Sequence, residues 1–145
     1  MDSYNTLNEF MVNLFNDIID IERKIVITDE FKDISNNDVH IIDAIGELDP
    51  KNMSTVAKKL NVTVGTLTIA INNLVKKDYV NRVRSEEDRR VVLISLTSKG
   101  SKAYKQHKKF HEDMISAMIE GLTQSETDVL VCALTNLKNY FKPHK

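Results

Sequence analysis

From Thr63 to Val75 the chain carries no charged side chain, although its apolar residues recur at helical spacing. Opposite those apolar residues stand Gly65, Thr66, Ile69, Asn72, Asn73 and Lys76, with Thr63 and Thr68 beside them. A helix that merely faces water ordinarily carries Glu and Lys on its outer side. Carboxamides and methyl groups suit a different task. An Asn can donate to N7 and accept from N6 of adenine in one plane, and the methyls of Thr66, Thr68 and Ile69 match that of thymine. No Arg stands on this stretch to take guanine O6 and N7. Shortly after come Arg82, Arg84, Asp88, Arg89 and Arg90. Guanidinium groups at a hairpin tip can enter a narrow minor groove, or they can pair locally with Asp88 for little energy. Arg84, Lys76, Lys77 and the lysines between 99 and 109 are candidates for phosphate contact. These types fit the reading of base edges rather than bond making. No serine has an evident base, no phosphate-binding loop is present, and no catalytic constellation is expected.

The elements that must hold these groups follow from local signals. Ser54–Leu60 and Thr63–Lys77 are predicted helices separated by Asn61-Val62. Val56, Ala57 and Leu60 form a core edge on the first. Asn61 tolerates the left-handed backbone of a tight turn, and Thr63 caps the second helix. Val64, Leu67, Ile71, Leu74 and Val75 form the second helix's apolar stripe. Gly65 costs about 1 kcal/mol against alanine inside a helix, so it is either a tolerated defect or a means of close approach to phosphate. Close approach is the favoured reading, because Gly65 lies on the outer face; the first turn also offers free N–H groups for a phosphate. Tyr79–Arg84 and Arg90–Leu96 are predicted strands around the charged tip Ser85-Glu86-Glu87-Asp88-Arg89. The stretch reads as a helix-turn-helix followed by a basic β-wing.

The 145 residues, 41% hydrophobic and 28% charged, suit one compact unit. No apolar run approaches the ~20 residues of a membrane span, and the acidic start is no signal peptide, so a cytoplasmic location is expected. Net charge is −1, but its distribution is uneven. Residues 51–110 hold 14 Lys and Arg against 4 Asp and Glu, a balance of +10, while the remainder carries 6 against 17, or −11. Polyanion binding should therefore be confined to one surface. The lone Cys132 excludes an intramolecular disulfide, and its apolar setting predicts a buried thiol.

Around the central stretch lie further helices. Residues 4–27 carry Leu7, Met11, Leu14, Ile18, Ile21 and Ile25 at heptad spacing, with Val12, Phe15, Ile19 and Val26 alongside. That arc is wider than one neighbour requires, so this helix should pack on its own chain and on a partner chain. Phe31-Lys-Asp-Ile is a connector; Ser35 with Asp38 caps a helix that ends at Gly46. A long helix runs from Thr97 to about Glu120, and Thr123-Gln-Ser-Glu126 is a capping box for the last. The order is ααααββαα: mainly α with a small β-wing, in a single unit 1–145. The winged helix-turn-helix spans 34–97, with helical dimerisation parts at 4–30 and 98–145.

His107 and His111 are four residues apart on one helix, a spacing that can hold a metal, and Glu22 and His40 could converge with them. The stripe Tyr104, His107, His111, Ile115, Met118, Leu122 reads equally as a packed helix face, where histidines serve as satisfied interface groups.

Val62-Thr-Val-Gly-Thr-Leu-Thr, Asn72-Asn-Leu and Arg84-Ser-Glu-Glu-Asp-Arg-Arg-Val-Val-Leu resemble the MarR family of winged-helix regulators. Phe31-Lys-Asp, His40-Ile-Ile-Asp-Ala-Ile-Gly, Phe110-His and Leu134-Thr-Asn-Leu are similar to the group of that family that represses fatty-acid synthesis genes. The resemblance implies a two-fold homodimer joined by its terminal helices and bound to double-stranded DNA. Its tip arginine would enter the minor groove, oriented by Asp88. With two recognition helices about 34–36 Å apart, the operator would be an inverted repeat with A·T-rich half-sites. The resemblance also implies a long-chain acyl group on acyl carrier protein as co-repressor, with no resident cofactor. Met11, Phe15, Ile19, Ile42, Met114 and Met118 are compatible with an acyl pocket and equally with ordinary core. The basic start of the long helix could meet an acidic carrier protein. Zinc-sensing members use a Glu and three His from matching helices, which makes zinc at Glu22, His40, His107 and His111 the alternative. Other members sense oxidants through an exposed cysteine.

Overall fold

The computed structural model describes residues 2–26 and 30–142, with residues 23, 25 and 26 as backbone only. The predicted seam side chains Ile25 and Val26 therefore lie outside the described residues, as does position 27. The chain divides into two compact units, Met1–Lys109 and Phe110–Lys145.

In the first unit, α1 (Ser3–Glu9) begins on Asp2, whose carboxylate accepts the Asn5 N–H at 2.9 Å. A π-helical turn, Phe10–Leu14, joins it to α2 (Phe15–Val26). The uninterrupted heptad helix expected over this stretch is thus broken by one wide turn. Such a turn adds a residue and rotates the Leu7–Met11 stripe out of line with Ile18 and Ile21. α3 (Asn36–Ile45) starts at a reciprocal Ser35–Asp38 capping box and stops at Gly46, whose φ of +69° suits glycine. Lys51 Nζ donates to the carbonyl of Ile45 at 2.5 Å, placing a cation on the negative helix end.

The helix-turn-helix comprises α4 (Met53–Leu60) and α5 (Val64–Lys76). Asn61 adopts φ 57°, ψ 46°, and its N–H and that of Val62 close on the last turn of α4. Thr63 Oγ1 accepts the Thr66 N–H, as the sequence predicts. Asn52 caps α4 through the Thr55 N–H. Asn52 also belongs to β1 (Lys51–Asn52), the edge strand of an antiparallel sheet ordered β1-β3-β2. β2 (Val80–Arg84) pairs with β3 (Val92–Leu96) in the register Arg82 opposite Ile94. Asp78 takes φ 69° between α5 and β2.

Among the described residues the core lies entirely within this unit. Val39, Ile41, Ile42, Ala44 and Ile45 of α3 meet Val56, Ala57, Leu67, Ile71, Leu74, Val80 and Ile94. Phe31, Ile34 and Tyr79 close one end. Buried Tyr79 donates its hydroxyl to Asp33 at 2.5 Å and carries Lys99 Nζ 4.4 Å above its ring. Burial first, then Asp33, drive the Tyr79 hydroxyl's pKa well above its usual value. The Tyr79 hydrogen bond and Lys99 hold Asp33 below its own.

α6 (Ser98–Ile119) is anchored at its start by Thr97, which donates from Oγ1 to the Asp78 carbonyl at 2.6 Å and from N–H to the Tyr79 carbonyl at 3.1 Å. Gly100 belongs to this close approach, because a Cβ there would stand 2.1 Å from the Tyr79 carbonyl oxygen. In the second unit, α7 (Gln124–Tyr140) begins at a Thr123–Glu126 capping box and buries none of its residues. Cys132 is consequently exposed, not buried as the sequence suggests. Its apolar neighbours mark an unpaired helix face rather than a core. Among the described residues no helix is long and apolar enough to cross a membrane.

Replacing Gly100 by Ala should lower the urea midpoint by the equivalent of about 1–3 kcal/mol or more, since carbonyl backbone cannot yield as a side chain can. Gly65→Ala is the control: its nearest foreign atom is 3.9 Å away, so stability should hold or rise by up to ~1 kcal/mol. Equal shifts in the two variants would show that the α6 anchor carries no weight.

Candidate nucleic-acid interface

Leu67, Ile71 and Leu74 are almost fully buried and fix the rotation of α5 about its axis. At 100° per residue, the direction opposite them falls on Gly65, Ile69 and Lys76, with Asn72 close by. All four are exposed, Ile69 by 68%. Thr66 and Asn73 flank this ridge on one side and half-buried Thr68 on the other. The uncharged stretch from Thr63 to Val75 is therefore bare where a reader of bases needs it. Val64, expected in the apolar stripe, is 44% exposed. It turns toward the wing instead and lines a cavity of about 430 Å³ with Asn52, Met53, Ser54, Thr68, Arg90, Val91 and Val92. The sequence missed this groove because β3 and α4 are brought together only by the sheet.

The wing tip is ordered by short-range bonds. Ser85 N–H donates to the Val91 carbonyl at 2.8 Å, and Val91 N–H to that of Asp88 at 2.9 Å. Asp88 accepts Arg90 Nε at 3.1 Å and a second guanidinium nitrogen at 3.2 Å, plus the Arg90 N–H. That two-point grip holds the Asp88 carboxyl below its usual pKa. The Arg90 side chain remains 91% exposed. Arg84 donates to the Arg89 carbonyl at 2.9 Å, so it braces the tip, while Arg89 stands exposed. Arg82 donates to Asn72 Oδ1, a bridge from wing to helix that the sequence did not indicate.

Several predicted phosphate contacts are differently engaged. Lys77 Nζ donates to the Asp33 carbonyl at 2.5 Å. Lys99, Lys102 and Lys105 lie 3.8, 3.9 and 3.5 Å from Asp33, Glu30 and Glu47. Much of the positive excess on early α6 is thereby neutralised within its own chain. Of the six residues compatible with an acyl pocket, Ile42 is fully buried in the core. Met11 is exposed on the π-turn, and Phe15 and Ile19 are exposed on α2. Met114 and Met118 belong to the second unit.

Glu22 and His107 are the buried polar residues among those described. His107 Nε2 lies 2.6 Å from Glu22 Oε1, and Nδ1 lies 2.5 Å from Asp43 Oδ2. Carboxylates facing both ring nitrogens favour the ring protonated at both. Burial works against that charge, but Asp43 and Glu22 outweigh it and raise the pKa above the ordinary histidine value. Asp43, the partner sequence reasoning missed, lies on α3 three residues beyond His40. The His40 side chain is exposed, its ring edge-on to His107 at 6.1 Å between centroids. His111 follows one turn later on α6, against Phe110. Glu22 and His107 could each offer a zinc donor. Zinc ligands stand roughly 3.3 Å apart, so the pair, hydrogen-bonded at 2.6 Å, would have to open to admit an ion.

Comparison with known proteins follows the same lines. The SarA/Rot transcriptional regulators match residues 23–112. The chain is 30% identical to the HTH-type regulator PchR of Bacillus subtilis, over 68% of this chain and 60% of PchR. It is 32% identical to the regulator SarZ of Staphylococcus epidermidis, over 70% and 69% of the two chains. The chain thus spans only about three-fifths of the length of PchR. Among solved structures it is similar to Streptococcus pneumoniae FabT in complex with DNA, with TM-score 0.84, 42% identity and coverage of 95% and 96%. A mutant Escherichia coli MarR with operator DNA, 22% identical at TM-score 0.60, shares the fold.

Because the folded pKa of His107 is raised, its stabilisation is complete below the unfolded value of about 6.5 and is lost as pH rises through the folded value. The melting temperature should therefore fall as pH rises above about 6.5, and His107→Gln should flatten that slope. A variant profile as steep as the wild type would assign the pH dependence to other groups.

Proposed function

The chain belongs to the SarA/Rot family of winged-helix transcriptional regulators, and on that premise we propose that it binds double-stranded DNA as a homodimer and acts as a repressor. The observation that carries this reading is the exposed, uncharged ridge Gly65–Ile69–Asn72 beside an Arg90 aimed by Asp88. Likeness to a FabT captured on DNA supports it. The ridge enters the major groove, with Thr66, Thr68 and Ile69 on thymine methyls and Asn73 on adenine. The N-terminal turn at Thr63 receives a phosphate, and Arg89 and Arg90 enter the minor groove. Lys76 and Arg84 add backbone attraction. Two copies joined through their terminal helices make the operator an inverted repeat with A·T-rich half-sites.

At a finer level, the controlled genes are those of fatty-acid synthesis, and a long-chain acyl group on acyl carrier protein strengthens operator binding. The similarity to FabT supports this, and the ligand shifts the population toward the dimer that matches the groove spacing. A second reading is zinc control through Glu22, His40, His107 and His111, for which the buried Glu22–His107 pair is the supporting contact.

Operator selection should return inverted repeats with A·T-rich half-sites. On the selected site Arg90→Ala should weaken binding roughly 5- to 150-fold, and Glu86→Ala should not. Equal effects, or a G·C-dominated operator, would refute the interface. Titrating the complex with acyl carrier protein bearing a long acyl chain should tighten binding, whereas the unacylated carrier should not. Tightening or release by zinc alone would instead favour metal control.

A further inference from the structure

Asn72 and Arg82 meet in a way the interface described above does not require. Asn72 lies on the outer ridge of α5, on the side that faces the wing, and Arg82 lies on β2. The Arg82 guanidinium donates to Asn72 Oδ1, and both side chains are exposed. Arginine has no acceptor, so the carboxamide atom turned to it must be the oxygen. That fixes the orientation of the amide and leaves Nδ2, with its two N–H groups, as the end still to be satisfied. The bond is charge-assisted and stronger than one between neutral partners.

A carboxamide that reads adenine must accept from N6 through Oδ1 while donating to N7 through Nδ2, both in the plane of the base. A guanidinium already on Oδ1 competes for that geometry. Asn73, the neighbouring carboxamide, has no hydrogen-bond partner among the described residues and keeps both ends for a base. We propose that Arg82 is a positioning residue that sets base specificity: it holds Asn72 as a donor only, directing it to acceptor edges such as thymine O4 or guanine O6 and N7. Adenine recognition is left to Asn73. The same bond ties the recognition helix to the wing, so that base reading and minor-groove entry keep one register. This inference rests on the DNA-binding reading.

The test compares wild type, Arg82→Ala, Arg82→Lys, Asn72→Ala and the Arg82→Ala/Asn72→Ala double variant. Each is measured against operators substituted singly at every position of a half-site and over a range of salt. Freed from Arg82, Asn72 should gain adenine pairing, so Arg82→Ala should move preference at one position of each half-site toward adenine by roughly 5- to 150-fold. Arg82→Lys keeps the charge but not the fork and should shift preference in the same direction. The double variant should match Asn72→Ala. If Arg82→Ala weakens all operators alike and lowers the salt slope by about one, Arg82 is a phosphate contact and the proposal fails. An unchanged base preference also overturns it while the DNA reading stands. Failure of the wild type to retain any operator overturns both.

Discussion

The rotation of α5 about its own axis is the constraint on which the proposed interface depends. Leu67, Ile71 and Leu74 are almost inaccessible, packed among Val39, Ile42 and Ile45 of α3 and Val56 and Ala57 of α4. Turning the helix by one residue would expose an aliphatic side chain, losing roughly 1.5–3 kcal/mol of burial, and would press Thr68 or Ala70 into the space left behind. The core therefore dictates that Gly65, Ile69, Asn72 and Lys76 face outward, and it does so without using any of them. Stability and recognition occupy opposite faces of the same thirteen-residue helix. That separation lets the outer face dispense with the charges that an ordinary solvent-facing helix carries.

The charge distribution gains a finer meaning from the contacts. Its balance of +10 over residues 51–110 looks like one continuous cationic surface, yet the lysines of early α6 lie close to Asp33, Glu30 and Glu47. Exposed pairs of this kind contribute little to stability, but they reduce the field available to a distant polyanion. The arginines of the wing are treated differently. Arg90 pairs with Asp88 through two atoms and still presents nearly all its surface, so the acid aims the base without hiding it. Arg84 and Arg82 spend donors on the Arg89 carbonyl and on Asn72, which stiffens the tip and links it to the helix. Cationic groups within one segment thus divide into braces and probes.

What the sequence disclosed was local in origin. Ser35 with Asp38, Thr63 with Thr66 and Thr123 with Glu126 cap helices through bonds three residues long, and Asn61 turns left-handed through its own side-chain tolerance. Periodicity likewise exposed the Leu67–Ile71–Leu74 face. Relationships that need the tertiary fold were hidden. β1 is two residues that become a strand only beside Ile94 and Leu93. Gly100 reads as an indifferent glycine until α6 lies against the Tyr79 carbonyl. Asp43 and Glu22 are far from His107 in sequence, and Val64 continued an apolar pattern although the sheet had drawn it toward the wing. The π-turn at Phe10–Leu14 has no strong residue signature, so a heptad count passes through it unaware. Cys132 reads as buried because its apolar run has the composition of a core, yet it stands exposed.

The exposure of Cys132 is part of a wider pattern. Every buried apolar side chain among the described residues belongs to the first unit. The second, Phe110–Lys145, exposes Ile115, Met118, Val129, Val131, Leu134, Tyr140 and Phe141. With no buried side chain among its described residues, a segment this short lacks the core that independent folding usually requires. α1, the π-turn and α2 present a second uncovered set, from Tyr4 through Ile21. These are the surfaces on which the proposed homodimer rests, and they lie outside the helix-turn-helix. In such an assembly those helices set the distance between the two ridges. Within the first unit, Glu22 of α2 and Asp43 of α3 both meet His107, so the two helices are joined through one ring. α3 therefore touches both α2, through that ring, and the Leu67–Ile71–Leu74 face that aims the ridge.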